Sequence, residues 1–488
     1  MKLCELLYGL KYKLFGVSKN AEVSNISSDS RKITCGCLFV CIKGSRRDGH
    51  QYACEAVAKG ALAAVAERYV EGVPTVVVED TRYTEALMWF RLCGMPYEDM
   101  KLCAVTGTNG KTSTAVFLGA ALNAAGIKTA VIGTLGCEFE GNTRQIEYSS
   151  VSDAPASMTT PDPQVLYPLL RNLRSKGCKA VVMEVSSHAV ALKKTAPLTF
   201  DCGVFTNLSP EHLDFHFSME NYYKTKASLF RQCRMAIVNV DDGYGRRLSC
   251  SLGEKAFGVS SEMAKRLSVN ENGIEYYTRL YKSRNMTHIK TKALGFYNVY
   301  NTLLAANAAA ALGADESAVS GGISHIGFVD GRLEKVLSQE GFDVYIDYAH
   351  TPDAVRATLC SVRAIAQNRR IVALFGCGGD RDKSKRAVMG ALAESLADKV
   401  IVTSDNPRSE KKSQIIADIL RGIKNGEKTV VIEDRRKAIE YAVETAEKGD
   451  VIVCLGKGHE SYETDGEGKH PFSEKKIIAE AMSKRKKS

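Results

Sequence analysis

Apolar runs separated by polar breaks divide the chain into three stretches. Up to about residue 97, the runs predict strands over 37–42, 63–66 and 75–78 and a helix over 51–59, a small α/β unit. From about 101 to 331, strands are expected at 101–105, 180–183, 203–206 and 235–240. Helices are expected at 115–124 and over the Ala-rich segment 296–312. Residues 251–292 alternate Gly, Tyr and polar side chains and read as a β-rich insertion. After about 333, strands recur at 344–346, 371–375, 400–403, 430–432 and 451–455, with helical stretches between them. Near-continuous apolar strands mark a parallel sheet covered on both faces. Their alternation with helices predicts a doubly wound α/β domain. The chain is therefore expected to be α/β throughout, in three domains spanning 1–97, 98–332 and 333–488.

The strongest chemical signal lies where the strand over 101–105 meets the helix that follows it. Gly107-Thr108-Asn109-Gly110-Lys111-Thr112 is a Gly-rich turn ending in Lys-Thr. Such a turn aims backbone N–H groups at phosphate oxygens, with the helix N-terminus behind it adding a positive dipole end. Lys111 can neutralise β/γ charge, and the Thr112 hydroxyl can ligate Mg²⁺. The spacing Gly107-x-x-Gly110-Lys111-Thr112 is two residues shorter than the common loop of this type.

Bulk properties narrow the partners. A content of 44% hydrophobic and 25% charged residues is ordinary for a globular protein. Part of the net charge of +10 falls in the tail Lys484-Arg485-Lys486-Lys487, which reads as a frayed, solvated end. The rest suits an anionic substrate. No basic stripe interleaved with aromatics supports nucleic acid. The 15 cysteines form no CxxC pair, and Cys35, Cys37 and Cys41 lack zinc spacing. Reduced, buried thiols fit a cytoplasmic protein. No signal peptide and no membrane span is expected, because no stretch approaches ~18 apolar residues.

In open parallel sheets, ligands bind beyond the carboxyl ends of the strands. Four polar motifs occupy such ends in the last third: Asp347-Tyr348-Ala349-His350, Gly376 to Asp382, Asp405-Asn406-Pro407-Arg408 and Gly456-Lys457-Gly458-His459-Glu460. Their mixture of Asp, Arg, Glu and His suits a zwitterionic ligand better than phosphate alone. Two more follow apolar strands in the middle third: Glu184-Val185-Ser186-Ser187-His188 and the stretch from Phe205 to Asp214. Glu184 and His212 can join Thr112 in placing Mg²⁺ around a triphosphate.

In this order, these motifs resemble the Mur ligase family, ATP-dependent enzymes that add amino acids to the peptidoglycan precursor. Asn298-Val299-Tyr300-Asn301 and Gly331-Arg332-Leu333-Glu334 complete the pattern, and the match spans nearly the whole chain. The resemblance implies a UDP-substrate domain, a central P-loop ATPase-like domain, and a Rossmann-like domain for the incoming amino acid. It is greatest to the members that add meso-2,6-diaminopimelate to the D-glutamate γ-carboxylate of UDP-N-acetylmuramoyl-L-alanyl-D-glutamate.

Site residues are implied position by position. Ser30, Thr159, Thr160, Ser186 and Lys194 match the muramoyl-peptide site. Relatives often carry arginine where this chain has Lys194, and some carry glutamine where it has Leu192. Lys226, in Tyr222-x-x-x-Lys226-x-x-Leu229-Phe230, matches a lysine that is carbamylated to N6-carboxylysine and so can ligate a second Mg²⁺. Asn301, Arg332, Asp347 and His350 match residues around adenine, ribose and phosphates. Arg381, Asp405, Asn406, Pro407, Arg408, Gly456 and Glu460 match the diaminopimelate site, where an arginine fork can pair a carboxylate at two points.

The implied reaction forms an acyl phosphate from ATP and then an amide. Lys111, Glu184, His212 and Lys226 would do the catalytic work, with Thr112, Glu184, His212 and Lys226 as metal-binding groups. ATP and Mg²⁺ are the expected cofactors, small molecules the expected partners, and a monomer the expected state. Two alternatives share much of the pattern: a lysine-adding ligase of the same step and a folylpolyglutamate synthase. A nucleotide-gated binding protein would need no amino-acid site, which the four strand-end motifs oppose.

Overall fold

The computed structural model describes residues 1–44, 47–94, 97, 99–144, 159–339 and 341–485. The first sheet orders its strands Tyr12–Phe15, Thr75–Val78, Ala63–Ala66, Cys37–Val40 and Asn25–Ser27. All pairs are parallel except the edge strand Tyr12–Phe15. Alternate residues of Cys37–Val40 feed two cores, Leu38 and Val40 on one face and Phe39 on the other. The helix expected over 51–59 begins as a 3₁₀ turn, Gly49–Tyr52, and continues as Ala53–Ala58.

The middle of the chain builds an eight-stranded sheet. Its order is Ala256–Val259, Cys233–Asn239, Phe200–Phe205, Lys101–Thr106, Ala180–Glu184, Thr129–Gly133, Gly136–Phe139 and Asn142–Arg144. The first six are parallel; the last two add an antiparallel meander. Lys101–Thr106 lies at the centre; Leu102 and Ala104 enter one core and Cys103 and Val105 the other, which is why its middle reads as an unbroken apolar run. The Ala-rich helix Tyr297–Ala311 packs on Lys111–Ala124, where small side chains let the two approach. Within 251–292, the β-rich reading needs two corrections. Residues 251–252 finish the helix Gly243–Leu252, and Ala256–Val259 joins the main sheet. Only Lys265–Asn270, Gly273–Arg279 and Met286–Thr291 form a separate antiparallel sheet.

The last sheet runs Glu334–Gln339, Phe342–Asp347, Val451–Leu455, Ile371–Phe375, Lys399–Val402 and Thr429–Val431. Five strands are parallel, and helices cover both faces, as a doubly wound domain requires. The edge strand Glu334–Gln339 is antiparallel and is an element that the apolar runs do not announce. A hairpin of Tyr462–Asp465 and Gly468–Pro471 stands beyond the carboxyl ends of this sheet. The basic tail is less frayed than expected. The helix Glu474–Arg485 includes Lys484, paired with Glu440, and Arg485, which donates to the carbonyls of Val443 and Ala446. Lys486 and Lys487 lie outside the described residues.

Candidate active site

The phosphate loop hangs between two neighbouring strand ends. Gly110 takes φ +83° and leads directly into Lys111–Ala124, a conformation that costs glycine little. At Gly107 a Cβ would fall 1.8 Å from Thr206 Oγ1, so only glycine fits. The loop is laced to the next strand's end. Thr108 N donates to Asn207 O (2.9 Å), Asn109 N to Asn207 Oδ1 (3.0 Å), and Thr206 Oγ1 to Asn109 O (2.6 Å). Two loop amides expected to face phosphate are thus engaged by protein. The first turn of Lys111–Ala124 is the remaining place where N–H groups without an intrahelical acceptor could face an anion. Lys111 Nζ curls back onto the carbonyls of Gly107 (3.0 Å) and Thr108 (2.8 Å). Burial lowers its pKa, with Glu211 and Glu184 opposing.

The four expected metal groups divide into separate contacts. Thr112 Oγ1 donates to Glu184 Oε2 at 3.1 Å. Glu184 also accepts from Thr134 N at 2.9 Å, and Arg332 Nη2 donates to Thr112 Oγ1 at 3.1 Å. Lys226 is buried on the other side of the loop. Its Nζ donates to Gly107 O at 2.8 Å and lies 5.0 Å from the Tyr222 ring centre. Burial, reinforced by Lys111, holds the Lys226 amine well below its ordinary pKa. His212 stands at φ +56°, edge-on to His188 with ring centres 4.7 Å apart. Among the described residues no hydrogen bond or ion pair joins it to Thr112, Glu184 or Lys226, and none form a ready cluster of three His, Cys, Asp or Glu ligands. Burial lowers all three neighbouring imidazoles, His188 to about 3 and His216 to about 4.

One residue at this junction carried no role in the sequence reading. Glu211 Oε1 is 3.2 Å from His350 Nε2, and Glu211 Oε2 is 3.6 Å from His212 Nε2. Burial alone would raise its pKa, but His212, the His350 hydrogen bond and Lys111 hold it well below the usual range. Its place beside His212 after an apolar strand was the available signal.

The link to the last sheet is equally specific. Asp347 accepts from Leu333 N (2.6 Å), Ala349 N (2.8 Å) and Thr358 Oγ1 (3.1 Å), so it clips its own strand end to the segment after Arg332. Burial still raises its pKa. Arg332 stacks 4.5 Å from the Tyr348 ring centre. Asn301 accepts from Thr114 Oγ1 (3.3 Å) and donates to Asn298 Oδ1 (2.7 Å), next to Gly110. Thr351 caps and Pro352 begins the helix Pro352–Ala366, which ends the His350 loop abruptly.

On the side of the first sheet, four of the five expected residues meet. Thr159 Oγ1 is 3.3 Å from Thr134 Oγ1; Thr160 Oγ1 donates to Glu184 O (2.9 Å) and accepts from Ser186 N (3.1 Å). Ser186 caps Ser187–Ala191. Lys194 Nζ is buried against Asp162 Oδ1 (2.8 Å) and Thr160 O (3.3 Å), so its charge is already partnered. Half-buried Leu192 makes no polar side-chain contact. Ser30 stands apart, in the turn Ser30–Lys32 capped by Asp29. Between the two regions lies Glu85, whose carboxyl burial pushes up to about 7 beside Ser28, Asp162, Arg82 and Lys194. Asp80 pairs with Lys193 across the same junction.

The last-sheet motifs converge as expected. Arg408, at φ +52°, donates through Nη1 to Gly379 O at 2.7 Å. Arg381 donates through Nη1 to Asp380 O at 3.1 Å. Among the described residues neither guanidinium forms an ion pair, and burial together with Arg408 lowers the pKa of Arg381. Two close guanidinium groups outside any ion pair can receive a carboxylate, although Asp214 and Asp380 offset part of the charge on Arg381. Opposite them, Asn406 Nδ2 donates to Glu460 Oε2 at 2.8 Å, and Asp405 is buried beside Gly456. Burial raises the pKa of Glu460, whereas Lys457 and Arg435 outweigh burial at Asp405 and lower it. A cavity of about 310 Å³ opens here, lined by Asp214, Asp380, Arg381, Asp382, Lys383 and Glu410. Asp214 comes from the short helix Leu213–His216 of the middle part of the chain, so the cavity lies between that part and the last sheet.

Three family models match the chain: "Mur ligase family, catalytic domain" over 22–87, "Mur ligase middle domain" over 105–309, and "Mur ligase, glutamate ligase domain" over 331–458. A UDP-N-acetylmuramoyl-L-alanyl-D-glutamate--2,6-diaminopimelate ligase from Caldanaerobacter subterraneus subsp. tengcongensis is 40% identical, covering 100% of both chains. A solved structure of an enzyme with that same name covers 100% of this chain and 99% of its own, with TM-score 0.69 and 28% identity. A Mycobacterium tuberculosis folylpolyglutamate synthase complexed with ADP and AMPPCP has TM-score 0.62 at 20% identity. It covers 77% of this chain and 92% of its own, and at that identity shares the fold alone.

Proposed function

The chain belongs to the Mur ligase family, and from that premise we propose that it joins 2,6-diaminopimelate, in its meso form, to UDP-N-acetylmuramoyl-L-alanyl-D-glutamate using ATP. We assign residues 1–97 to the UDP end, 98–332 to ATP and 333–488 to the incoming amino acid. The observation that carries the choice of amino acid is the pair Arg381 and Arg408, hydrogen-bonded to carbonyls and in no ion pair among the described residues, beside Asn406, Asp405 and Glu460. Diaminopimelate differs from lysine by one carboxylate, and that pair is the group that would read it. All substrates are small molecules, and the reaction is one of the cytoplasm. Among the described residues no helix is long and apolar enough to cross a membrane.

In the reaction, a γ-carboxylate oxygen of D-glutamate attacks the γ-phosphorus of ATP, and ADP leaves. The amine of diaminopimelate then attacks the acyl carbon, loses its proton, and expels phosphate. Lys111 swings from the Gly107 and Thr108 carbonyls to the phosphoryl oxygens. Arg332, one hydrogen bond from Thr112, adds charge at the same edge. No protein nucleophile is required; positioning and electrostatics do the work.

The donor set around Thr112 fits Mg²⁺. Buried carboxylate and hydroxyl oxygens are hard ligands, and Glu184 and Thr112 are already in contact. There the ion supplies positive charge to the phosphoryl oxygens. Lys226 suits carbamylation for a separate reason. Carbamylation needs a neutral amine to add to CO₂ with loss of a proton, and burial shifts the Lys226 amine toward that form. The carbamate then supplies a second anionic group beside Gly107, with His212 as its neutral neighbour across Tyr222.

The test is an amino-acid panel read as ADP release with the UDP-muramoyl-dipeptide present. Diaminopimelate is expected to drive turnover and lysine and glutamate to fail. Turnover with lysine alone would move the chain to the lysine-adding reading, and turnover with a folate acceptor and glutamate to the folylpolyglutamate reading.

A further inference from the structure

The motif Gly456-Lys457-Gly458-His459-Glu460 contains a lysine to which no role has been given. Lys457 follows the carboxyl end of Val451–Leu455, and its side chain is fully buried. A buried ammonium must satisfy three donors. Two are engaged by Asn406 Oδ1 and by Tyr462 O, each at 3.0 Å. The ammonium also lies 3.5 Å from Asp405 Oδ1 and 3.9 Å from Glu460 Oε2. It therefore touches three of the groups assigned to the amino-acid site from behind.

The consequence is sharpest at Asn406. Its Oδ1 receives two donors, Lys457 Nζ and Thr464 N at 2.9 Å. With both donors facing one atom, the amide has a single satisfied orientation, and Nδ2 must point to Glu460 Oε2, where it is found at 2.8 Å. Removing Lys457 would leave Asp405 and Glu460 as neighbouring buried carboxyls without the cation between them. Asp405 Oδ1 is already buried without a hydrogen bond, so it depends on that charge.

We propose that Lys457 is a positioning residue for the incoming amino acid: its buried ammonium locks the Asn406 amide and gathers Asp405 and Glu460 as the acceptors of the substrate's ammonium. This rests on the amino-acid site assigned above. A lysine that served only to stabilise the fold would make the same contacts, so the test separates the two.

KM for diaminopimelate, KM for ATP and kcat are measured for K457M, K457R and R408A, each checked for folding by its thermal transition. In K457M, KM for diaminopimelate is expected to rise about tenfold or more, the loss of one charged hydrogen bond, with KM for ATP within about twofold. K457R, which keeps the charge, should recover part of that loss. If K457M fails to fold, K457Q is read in the same way. Unchanged KM for diaminopimelate in a folded variant while R408A raises it would overturn the role of Lys457 and leave the site standing. Unchanged KM in both K457M and R408A would overturn the site and the proposal together. Equal rises in KM for ATP and diaminopimelate would also overturn it, since they indicate a general loss of structure.

Discussion

Replacing Arg408 by alanine should abolish the discrimination between diaminopimelate and lysine rather than the chemistry. Arg408 Nη1 is held by Gly379 O at 2.7 Å, which orients the guanidinium and leaves its Nε–Nη2 edge for a carboxylate. A two-point pairing of charged groups is worth ~1.5–3 kcal/mol per hydrogen bond, and Arg381 nearby would keep part of the attraction. The net loss is then ~3–4 kcal/mol, or roughly 10²–10³ in kcat/KM for diaminopimelate. The backbone adds little, because arginine and alanine are about equally disfavoured at the φ of +52° found there. Lysine has no distal carboxylate to lose, so its kcat/KM should change by less than about threefold, and KM for ATP should hold. The assay is coupled ADP release with each amino acid across a concentration series. A wild-type enzyme that uses both amino acids equally, or an alanine variant that keeps the wild-type ratio, would refute the reasoning.

Lys226→Ala should lose at least about 10² in kcat, because it removes the anion that the carbamate would supply; small carboxylic acids should restore a fraction, and isotope-labelled bicarbonate should mark the wild-type lysine but not the variant. Full activity in Lys226→Ala, or an unlabelled lysine in active enzyme, would refute carbamylation. Glu85→Gln should flatten the pH dependence of stability: the folded carboxyl at about 7 lies above its ordinary 4.5, so wild type is favoured below pH 4.5 and loses that advantage by about pH 7, on the order of 3 kcal/mol in total. Thermal transitions at pH 5 and 8 should therefore differ less in the variant, and an equal difference would refute the shift.

Most strands of this fold were legible because burial on both faces leaves an apolar run that needs no partner to be recognised. Ile371–Phe375 and Val451–Leu455 match their runs residue for residue. Glu334–Gln339 was not legible, since Glu334, Lys335 and Ser338 interrupt it and its place is set by pairing with Phe342–Asp347. The helix over 51–59 was placed correctly in space but misjudged in kind at its start, where Asp48 caps a 3₁₀ turn. Propensity and period do not resolve that difference.

The candidate site was legible to the extent that its residues follow strands. Gly107, Thr112, Glu184, Asp347, Asp405 and Gly456 all lie just beyond apolar runs, and the parallel sheets bring those ends together. What escaped were residues whose role depends on a second segment far along the chain. Glu211 is defined by His350, 139 positions away. Lys457 is defined by Asn406, 51 positions away. Glu85 lies in a helix, Thr81–Leu92, whose polar positions look like an ordinary solvated face until that face meets Asp162 and Lys194. Glu211 and Lys457 are largely buried charges, which would be costly in isolation, whereas burial pushes the Glu85 carboxyl toward its protonated form. For Glu211 and Lys457 the partner that makes the charge tolerable, His350 or Asn406, comes from another strand end. Such residues report contact between parts of the fold, so Glu211–His350 and the Glu85 cluster are where the middle sheet is coupled to its two neighbours. On the assignment proposed above, those couplings would set how the three substrate regions are held relative to one another.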